Sequence, residues 1–372
     1  MSETKKLLVI AGGNYIYGAE KVTIDVIKGL SNEGYEVQAI ISGWGDGQFV
    51  KALDGLRVKF YKLKLGWYYI SKILWSLDSL VHYPGAVIRF LRIRKNFRDW
   101  PVYIISFRQV ILLWPFFKKN IVYHVHDPNA HSKQSRYFLK IINRKVTKFI
   151  AVSEFVKEDL IACGISPEKI EVIYNGVEIL PEVQKDSNHS GVLNIGIVGQ
   201  VIERKGHATL LQAIGLLIKK GLDIRLIIAG DGDKFFIEKL KKMTMDLGLP
   251  SKITWRGFKK DLKEIYADID VLIAPTISAE PFGLITIEAN MLGMPVIVSN
   301  KGGFRETVKN RENGFLVEPE DAEQLADKIE YFYSHRNEID AMGKKGRRMV
   351  VDKFSSDAMT KSIDKLITQI SV

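Results

Sequence analysis

Two carboxylates stand eight residues apart in residues 278–300, SAEPFGLITIEANMLGMPVIVSN. From Gly283 onward the apolar residues recur at the spacing of one helix face, which predicts that an α-helix begins there. Glu280 then lies in the loop before the helix, and Glu288 lies one to two turns inside it. An acid on each side of a helix start can bind a polar ligand.

The start of this helix offers backbone N–H groups at Phe282, Gly283 and Leu284. Unpaired N–H groups and the helix dipole favour an anion such as a phosphate at this position. Glu288 can accept hydrogen bonds from vicinal hydroxyls such as those of ribose, and Glu280 can hold a sugar. On spacing alone, the pair is also consistent with an acid that complements the helix dipole and an ordinary surface acid.

A regular alternation of predicted strands and helices positions these residues. The strand DVLIAPT precedes the two acids and the strand PVIVS follows them, so the acids lie at the carboxyl end of a strand. Strands separated by helices imply parallel sheets with right-handed crossovers, in which ligands bind beyond the carboxyl ends of the strands. We therefore expect an α/β protein with two doubly wound domains.

The alternation is interrupted by the stretch EILPEVQKDSNHSG, whose Pro, Ser and Asn residues indicate a linker at about 178–191. We expect an N-terminal domain over 1–180 and a C-terminal domain over 192–354. A final helix, at about 355–372, is expected to pack back on the first domain.

The composition is that of a globular protein, with 46% hydrophobic and 26% charged residues. The single cysteine, Cys163, excludes an internal disulfide and fits a reducing compartment. We identify no secretory signal and no apolar run long enough to span a bilayer, so we expect no transmembrane helix and a cytoplasmic location.

Positive charge is concentrated in residues 51–150, which hold twenty Lys and Arg against four Asp, a local net charge of +16. Such a block favours an anionic partner. Residues 60–117 also contain fifteen aromatic residues, which predicts an insertion of amphipathic helices in the first domain. Its side chains could face an anionic membrane surface, or the aromatics could form an inner core. We recognise no nucleic-acid-binding module and expect no nucleic-acid partner.

A series of motifs gives the chain a family resemblance. In order they are AGGNYIYGAEKV, YHVHD, AVSE, VIYNGVE, GIVGQVIERKG, IIAGDGD, the E-x7-E pair, GMPVIVSNKGGFRETV and NGFLVEP. With them the chain closely resembles the family 4 glycosyltransferases, retaining enzymes of the GT-B fold that use nucleotide sugars. The resemblance implies two Rossmann-like domains facing each other across a cleft, with the donor mainly on the second and the acceptor on the first. It is weakest over 44–118, where acceptor recognition usually resides in this family.

The resemblance also implies roles for single residues. It assigns catalysis to His126 at the donor sugar, Lys205 at the donor diphosphate and Glu280, which would position the sugar; a nucleophilic Glu280 is the minority alternative. Together with the helix start and Arg204, which is discussed next, the candidate donor-binding set comprises Gly12, Gly13, Arg204, Gly257, Phe258, Phe282, Gly283, Leu284 and Glu288.

The chain departs from the family pattern at one position of the donor site. The family often has Arg directly after the glycine that is Gly199 here, and this chain has Gln200. When a glycosidic bond to a diphosphate breaks, negative charge grows on the leaving phosphate, so a cation is needed there. Arg204, next to Lys205, could supply the missing charge, or it could be a solvated arginine.

Two sets of residues raise the question of a metal ion. His124 and His126 share one face of a strand and His131 follows, but no fourth ligand with suitable spacing is present. Asp231 and Asp233 resemble the D-x-D metal motif of the other glycosyltransferase fold, and here they end a strand, which favours a turn. We expect no metal ion and no cofactor.

The sequence therefore predicts a retaining glycosyltransferase. We expect it to move a hexosyl or N-acetylhexosaminyl group from a UDP- or GDP-linked sugar to a glycan or lipid-linked acceptor, in cell-envelope polysaccharide or lipopolysaccharide biosynthesis. It should lie peripherally on the inner face of the cell membrane, on an anionic surface. The alternatives are a non-hydrolysing sugar-nucleotide epimerase of the same fold and an inactive module that binds membranes or polyanions.

Overall fold

The computed structural model consists of two compact units, Met1–Gly176 with Ser356–Val372, and Val177–Ser355. The residues that it describes are 5–12, 16, 18–45, 47–64, 73–105, 113, 120–129, 132–181, 191–259 and 261–371. The predicted linker at 178–191 lies largely outside the described residues.

The first unit is built on a parallel sheet. Its strands are β1 (Lys6–Ala11), β2 (Glu36–Ser42), β3 (Lys59–Leu63), β4 (Val102–Ile104), β5 (Ile121–Val125), β6 (Lys148–Ala151) and β7 (Ile170–Val172). They form one seven-stranded sheet in the order β3-β2-β1-β4-β5-β6-β7, and every pairing is parallel. The order reverses between β1 and β4, and sheets of this kind bind ligands beyond the carboxyl ends of such strands.

Helices connect these strands. They are α1 (Gly18–Asn32), α2 (Gln48–Gly55), α3 (Ile73–Arg94), α4 (Lys133–Ile142) and α5 (Glu154–Ala162). The side chains of Ser132 and Ser153 cap the starts of α4 and α5 by accepting backbone N–H bonds, and such caps replace the partners that a helix start lacks.

The second unit repeats the design. Its strands are β8 (Leu193–Val198), β9 (Ile224–Ala229), β10 (Ile253–Gly257), β11 (Val271–Ala274), β12 (Val296–Ser299) and β13 (Gly314–Val317), in the parallel order β10-β9-β8-β11-β12-β13. Its helices are α6 (His207–Lys219), α7 (Lys234–Asp246), α8 (Leu262–Tyr266), α9 (Leu284–Met291), α10 (Phe304–Thr307), α11 (Ala322–Ser334) and α12 (Arg336–Lys353). The strand order reverses between β8 and β11.

The buried strands explain the fold class. All four residues of β11 and all four of β12 are buried, because helices cover both faces of a parallel sheet and its strands become continuous apolar runs. The predicted α/β class with two doubly wound parallel sheets is confirmed.

The last helix, α13 (Ser356–Ser371), belongs to the first unit. It packs on α1, where a Cβ on Gly29 would lie 2.2 Å from Oγ1 of Thr360. Asp364 also ties the helix to this unit, accepting hydrogen bonds from Lys5 over 2.8 Å and from the Tyr35 hydroxyl over 2.6 Å.

The predicted helical insertion over 60–117 requires a correction to its bounds. The segment begins in strand β3 and also contains strand β4, so its long helix is confined to α3 between these two strands. The segment reads as an insertion because β3 is an edge strand, whose mixture of basic and half-buried aromatic residues is typical of edges, and β4 is only three residues long. Among the described aromatics, Phe90, Phe97 and Tyr103 are buried. No helix of the described residues is both long and apolar enough to cross a membrane.

Candidate active site

Lys205 and Glu280 meet in the second unit beyond the carboxyl ends of β8 and β11, which are paired strands. Lys205 Nζ lies 2.8 Å from Oε2 and 3.1 Å from Oε1 of Glu280. The two side chains are 14% and 17% exposed, so water reaches the pair poorly. These strands flank the reversal of strand order, where doubly wound sheets bind ligands. The structure thus joins two of the three residues that the sequence assigns to catalysis.

Close backbone contacts hold the loop of Lys205 against the loop that follows β11. Gly206 has a φ of 73°, and a Cβ there would lie 1.8 Å from the carbonyl oxygen of Pro275, so only glycine fits. The N–H of Ile277 donates to the carbonyl of Arg204 over 2.8 Å. The position of the lysine is therefore fixed by the backbone as well as by its ion pair.

A second pair of glycines fixes the backbone of Glu280. Gly302 forms a parallel bridge with Glu280, and the N–H of Gly303 donates to the Glu280 carbonyl over 2.8 Å. A Cβ on Gly302 would lie 2.4 Å from that carbonyl oxygen, and one on Gly303 would lie 2.5 Å from the carbonyl oxygen of Pro281. This role was not predicted from the sequence, although the Gly-Gly of NKGGF after β12 is a signal for it.

Arg204 lies at the edge of the same pair. Its Nη1 is 3.7 Å from Glu280 Oε2, and its side chain is 47% exposed. At that distance and exposure the attraction is weak and screened by salt. The guanidinium is within reach of an anion beside Lys205, and the structure is compatible with the predicted compensation for Gln200.

The helix start lies directly after this loop. Helix α9 begins at Leu284, and Gly283 caps it with a φ of 100°, where a Cβ would lie 2.5 Å from the ring of Phe304. Phe282 is 2% exposed, and its ring meets that of Phe354 edge-on at 5.7 Å. The side chain of Phe282 therefore anchors the loop, while Gly283 and Leu284 lie at the helix start.

Glu288 lies one turn inside α9 and is 7% exposed. The hydroxyl of Tyr266, at the end of α8, donates to its Oε2 over 3.3 Å. Burial, together with the charge of Glu288, raises the pKa of Tyr266 well above its usual value, so the phenol keeps its proton and acts as a donor. Tyr266 was not predicted as a site residue, because a tyrosine 22 residues before an acid looks like an ordinary core residue in a sequence.

Gly257 ends the edge strand β10 of the same sheet, and Phe258 follows it. Gly257 has a φ of 65°, and its carbonyl accepts the N–H of Gly230 over 2.9 Å. The side chain of Phe258 is 60% exposed. An aromatic ring left open to solvent is available for stacking on a planar ligand.

His126 lies in the first unit, directly after β5. Its ring lies beside that of His124, with 4.1 Å between centroids and a tilt of 40°, and His124 Nδ1 is hydrogen-bonded to the hydroxyl of Tyr103. Burial lowers the pKa of His126 to about 4. Burial also lowers the pKa of His124 well below its usual value, and the neighbouring His126 lowers it further. Both rings are neutral at pH 7. Nε2 of His126 is buried and has no hydrogen-bond partner among the described residues, so it can form a hydrogen bond to a ligand.

Gly12 directly follows β1 of the same sheet, and Gly13 lies outside the described residues. Strands β1, β4 and β5 are neighbours in parallel order, so Gly12 and His126 both lie at the carboxyl edge of this sheet.

The two aspartates of the D-x-D stretch have structural partners. Asp231 accepts the N–H of Gly232, and Asp233 caps α7 by accepting the N–H of Phe236, each over 2.8 Å. Asp231 thus lies in the loop after β9, and Asp233 is the N-cap residue of α7. Within the described residues, no group of three His, Cys, Asp or Glu side chains is arranged to hold a metal ion, and His131 lies outside them.

His207 is a buried titratable group beside the lysine loop. It is 2% exposed, its ring is hydrogen-bonded to the backbone of Ile202, and Nδ1 has no hydrogen-bond partner among the described residues. Burial lowers its pKa to about 4. The neutral ring links the start of α6 to the turn that carries Lys205.

His207 is therefore expected to make stability depend on pH. Its pKa is lower in the folded state than in the unfolded chain, so the unfolded chain binds more protons between about pH 4 and 6.5, and stability falls as the pH drops through that range. When the pH falls from 7 to 5, the unfolding free energy of His207→Asn should therefore decrease by roughly 2 kcal/mol less than that of the parent. Urea unfolding at both pH values measures this, and an equal decrease in both proteins would contradict it.

Comparisons with known proteins identify the family of this chain. A family model described as Glycosyltransferase Family 4 matches residues 16–179, and one described as Glycosyl transferases group 1 matches residues 181–349. The chain belongs to the family 4 glycosyltransferases. Its two matches divide the chain close to the boundary between the two units.

Relatives and solved structures agree with this assignment. The chain is 28% identical over 262 residues to CapM of Staphylococcus aureus, a capsular polysaccharide biosynthesis glycosyltransferase, covering 63% of this chain and 66% of CapM. It is 28% identical over 170 residues, 44% of each chain, to a GDP-mannose-dependent α-(1-6)-phosphatidylinositol monomannoside mannosyltransferase of Mycobacterium tuberculosis. The matches to the first three curated relatives span about half to two thirds of the relatives' own length.

The solved structures show the GT-B fold. Anabaena HepE, in complex with UDP and glucose, superimposes with a TM-score of 0.83 at 21% identity, over 98% of this chain and 99% of that one. The GT-B fold inferred from the motifs is confirmed.

Proposed function

We propose that this protein transfers a sugar, with retention of configuration, from a UDP- or GDP-linked hexose or N-acetylhexosamine to a glycan or lipid-linked acceptor. The product would belong to a cell-envelope polysaccharide or lipopolysaccharide. The observation that carries the proposal is the shielded Lys205–Glu280 pair beyond β8 and β11, with Glu288 one turn inside the adjacent helix. In this proposal Lys205 binds the diphosphate, Glu280 holds the sugar and Glu288 binds the ribose of a nucleotide sugar.

In this proposal each group has a separate task. The bond between the anomeric carbon and the β-phosphate oxygen breaks, and a bond from the same carbon to the acceptor oxygen forms on the same face. The acceptor proton passes to the departing phosphate oxygen. Lys205 and the start of α9 stabilise the charge that grows on that phosphate, and Glu280 orients the sugar. By the family resemblance, neutral His126 would contact the donor sugar.

The relatives support the choice of substrates. HepE has been crystallised with UDP and glucose, and the mycobacterial relative is named as GDP-mannose-dependent and as acting on a phosphatidylinositol monomannoside. CapM is named for capsular polysaccharide biosynthesis. A UDP- or GDP-linked donor and a polysaccharide or lipid-linked acceptor follow by similarity.

The proposal includes independence from divalent metal ions, because Lys205, with Arg204 beside it, supplies positive charge at the diphosphate.

The purified protein is incubated with UDP- and GDP-sugars and lipid-linked glycan acceptors, and released nucleoside diphosphate is measured with and without excess EDTA. Release with one donor should persist in EDTA, and the product anomer should match that of the donor by NMR. Complete loss in EDTA, restored by a divalent ion, would overturn metal independence. Isomerisation of the donor without transfer would instead identify an epimerase.

A further inference from the structure

Helix α3 presents aliphatic side chains to solvent. Five large apolar residues are exposed along it, with Val81 75% and Ile88 53% exposed; the set is Leu77, Leu80, Val81, Ile88 and Leu91. A surface helix normally turns such residues to the core and polar residues to water. The exposed set is called the aliphatic strip here.

The strip lies on one side of the helix, opposite the residues that bind α3 to its unit. At 3.6 residues per turn its members fall within roughly 100° of the helix circumference and extend over about 21 Å. The buried residues Ala86, Phe90 and Ile93 lie on the other side. Helix α3 is therefore apolar on two opposite faces, of which the unit covers only one.

Unpaired cations border the strip. Arg89 and Arg92 lie beside it on α3, and Lys95 and Arg98 follow at its carboxyl end, all exposed. None of the four forms an ion pair with a carboxylate of the described residues, and they lie within the residues 51–150 that carry the local net charge of +16. Cations at this end also match the negative end of the helix dipole.

We propose that α3 docks this protein on an anionic lipid bilayer, with the aliphatic strip at the boundary of the acyl chains and the four cations on the headgroups. A helix that lies in the plane of a membrane combines an apolar face with Lys and Arg beside it, and basic side chains extend their charged ends to the headgroups. The strip is narrow and convex, a shape that suits a fluid surface better than a protein pocket. This inference rests on the proposed function only in that a lipid-linked acceptor would lie on the same surface.

The test uses the full-length protein and vesicles of phosphatidylcholine alone or with phosphatidylglycerol. Arg89→Glu/Arg92→Glu and Val81→Gln/Ile88→Gln should each weaken partitioning to the anionic vesicles by about tenfold or more. The matched controls are Lys344→Glu/Lys345→Glu, which makes the same charge change on α12, and Ile161→Gln/Val351→Gln, which replaces the same residue types at exposed positions of α5 and α12. Both controls should bind like the parent, and binding should weaken in high salt.

Each alternative occupant of the strip has its own outcome. A thermal midpoint that falls much further for Val81→Gln/Ile88→Gln than for its control would show that the chain itself covers the strip. A concentration-dependent dimer that this variant abolishes would assign the strip to a second copy. Equal binding of variants and controls, or no binding to anionic vesicles, would also overturn the proposal. Donor turnover with a water-soluble acceptor, measured on the same proteins, reports on the proposed function separately.

Discussion

Lys205→Ala is expected to lower kcat by about 10²- to 10³-fold, because it removes a cation from the site where charge develops on the leaving diphosphate. The backbone contacts of Gly206 and Arg204 hold the loop independently of the side chain, so the fold should persist. Steady-state kinetics with the preferred donor measure the effect. A loss confined to KM would mean that Lys205 contributes equally to ground-state and transition-state binding.

A matched lysine in the same unit serves as the control. Lys220 pairs with Glu330 over 2.6 Å, but the two side chains are 51% and 36% exposed. Exposed pairs contribute little to stability, so Lys220→Ala should change neither kcat nor KM by more than about twofold. If Lys205→Ala behaves like Lys220→Ala, the leaving group does not lie at the Lys205–Glu280 pair.

The ion pair adds a second expectation to this experiment. Glu280→Gln should also reduce kcat, and the double variant Lys205→Ala/Glu280→Gln should lose less than the sum of the two single losses. Contacting residues that act as a unit are not additive, and Lys205 is the nearest cation to Glu280, with Arg204 at 3.7 Å. Strict additivity would indicate two independent contacts with the donor.

The sequence allowed prediction of the two sheets and of the place of the two acids. Continuous apolar runs such as VLIA and VIVS leave few alternatives to buried parallel strands, and the position of Glu280 and Glu288 relative to a helix start follows from 3.6-residue periodicity. These are local features, and local sequence determines them.

Partners from distant parts of the chain could not be predicted in this way. Tyr266 reaches Glu288 because α8 packs beside α9, and the Gly302–Gly303 pair matters because β12 brings its loop against that of Glu280. Both contacts depend on how the crossovers fold back on the sheet. The aliphatic strip was missed for a different reason. Leu, Val and Ile around a whole helix read as a buried helix, and the predicted membrane contact was assigned to the aromatic and basic residues of 60–117 rather than to these aliphatic side chains.

Glu288→Gln is expected to reduce affinity for the preferred nucleoside diphosphate by roughly 10- to 150-fold, since hydrogen bonds to a charged group contribute about 1.5–3 kcal/mol. The carboxylate is 7% exposed, and in the proposed function it accepts hydrogen bonds from both ribose hydroxyls. Calorimetric titration with the nucleoside diphosphate and with its 2′,3′-dideoxy form measures the loss. The variant and the parent should bind the dideoxy form alike, because that ligand has no hydroxyls to donate.

Tyr266→Phe tests whether the tyrosine positions this carboxylate. It deletes the hydroxyl that donates to Glu288 Oε2 over 3.3 Å and keeps the buried ring. We expect a smaller loss of affinity, about fivefold, because the carboxylate is kept and only a long hydrogen bond that positions it is removed, again for the ribose form and not for the dideoxy form. Tyr333→Phe is the control, because it deletes a hydroxyl that accepts the backbone N–H of Asp223. If Tyr266→Phe loses the same affinity for both nucleotides, Tyr266 only contributes to packing. If neither Glu288→Gln nor Tyr266→Phe loses affinity, the ribose does not bind at Glu288.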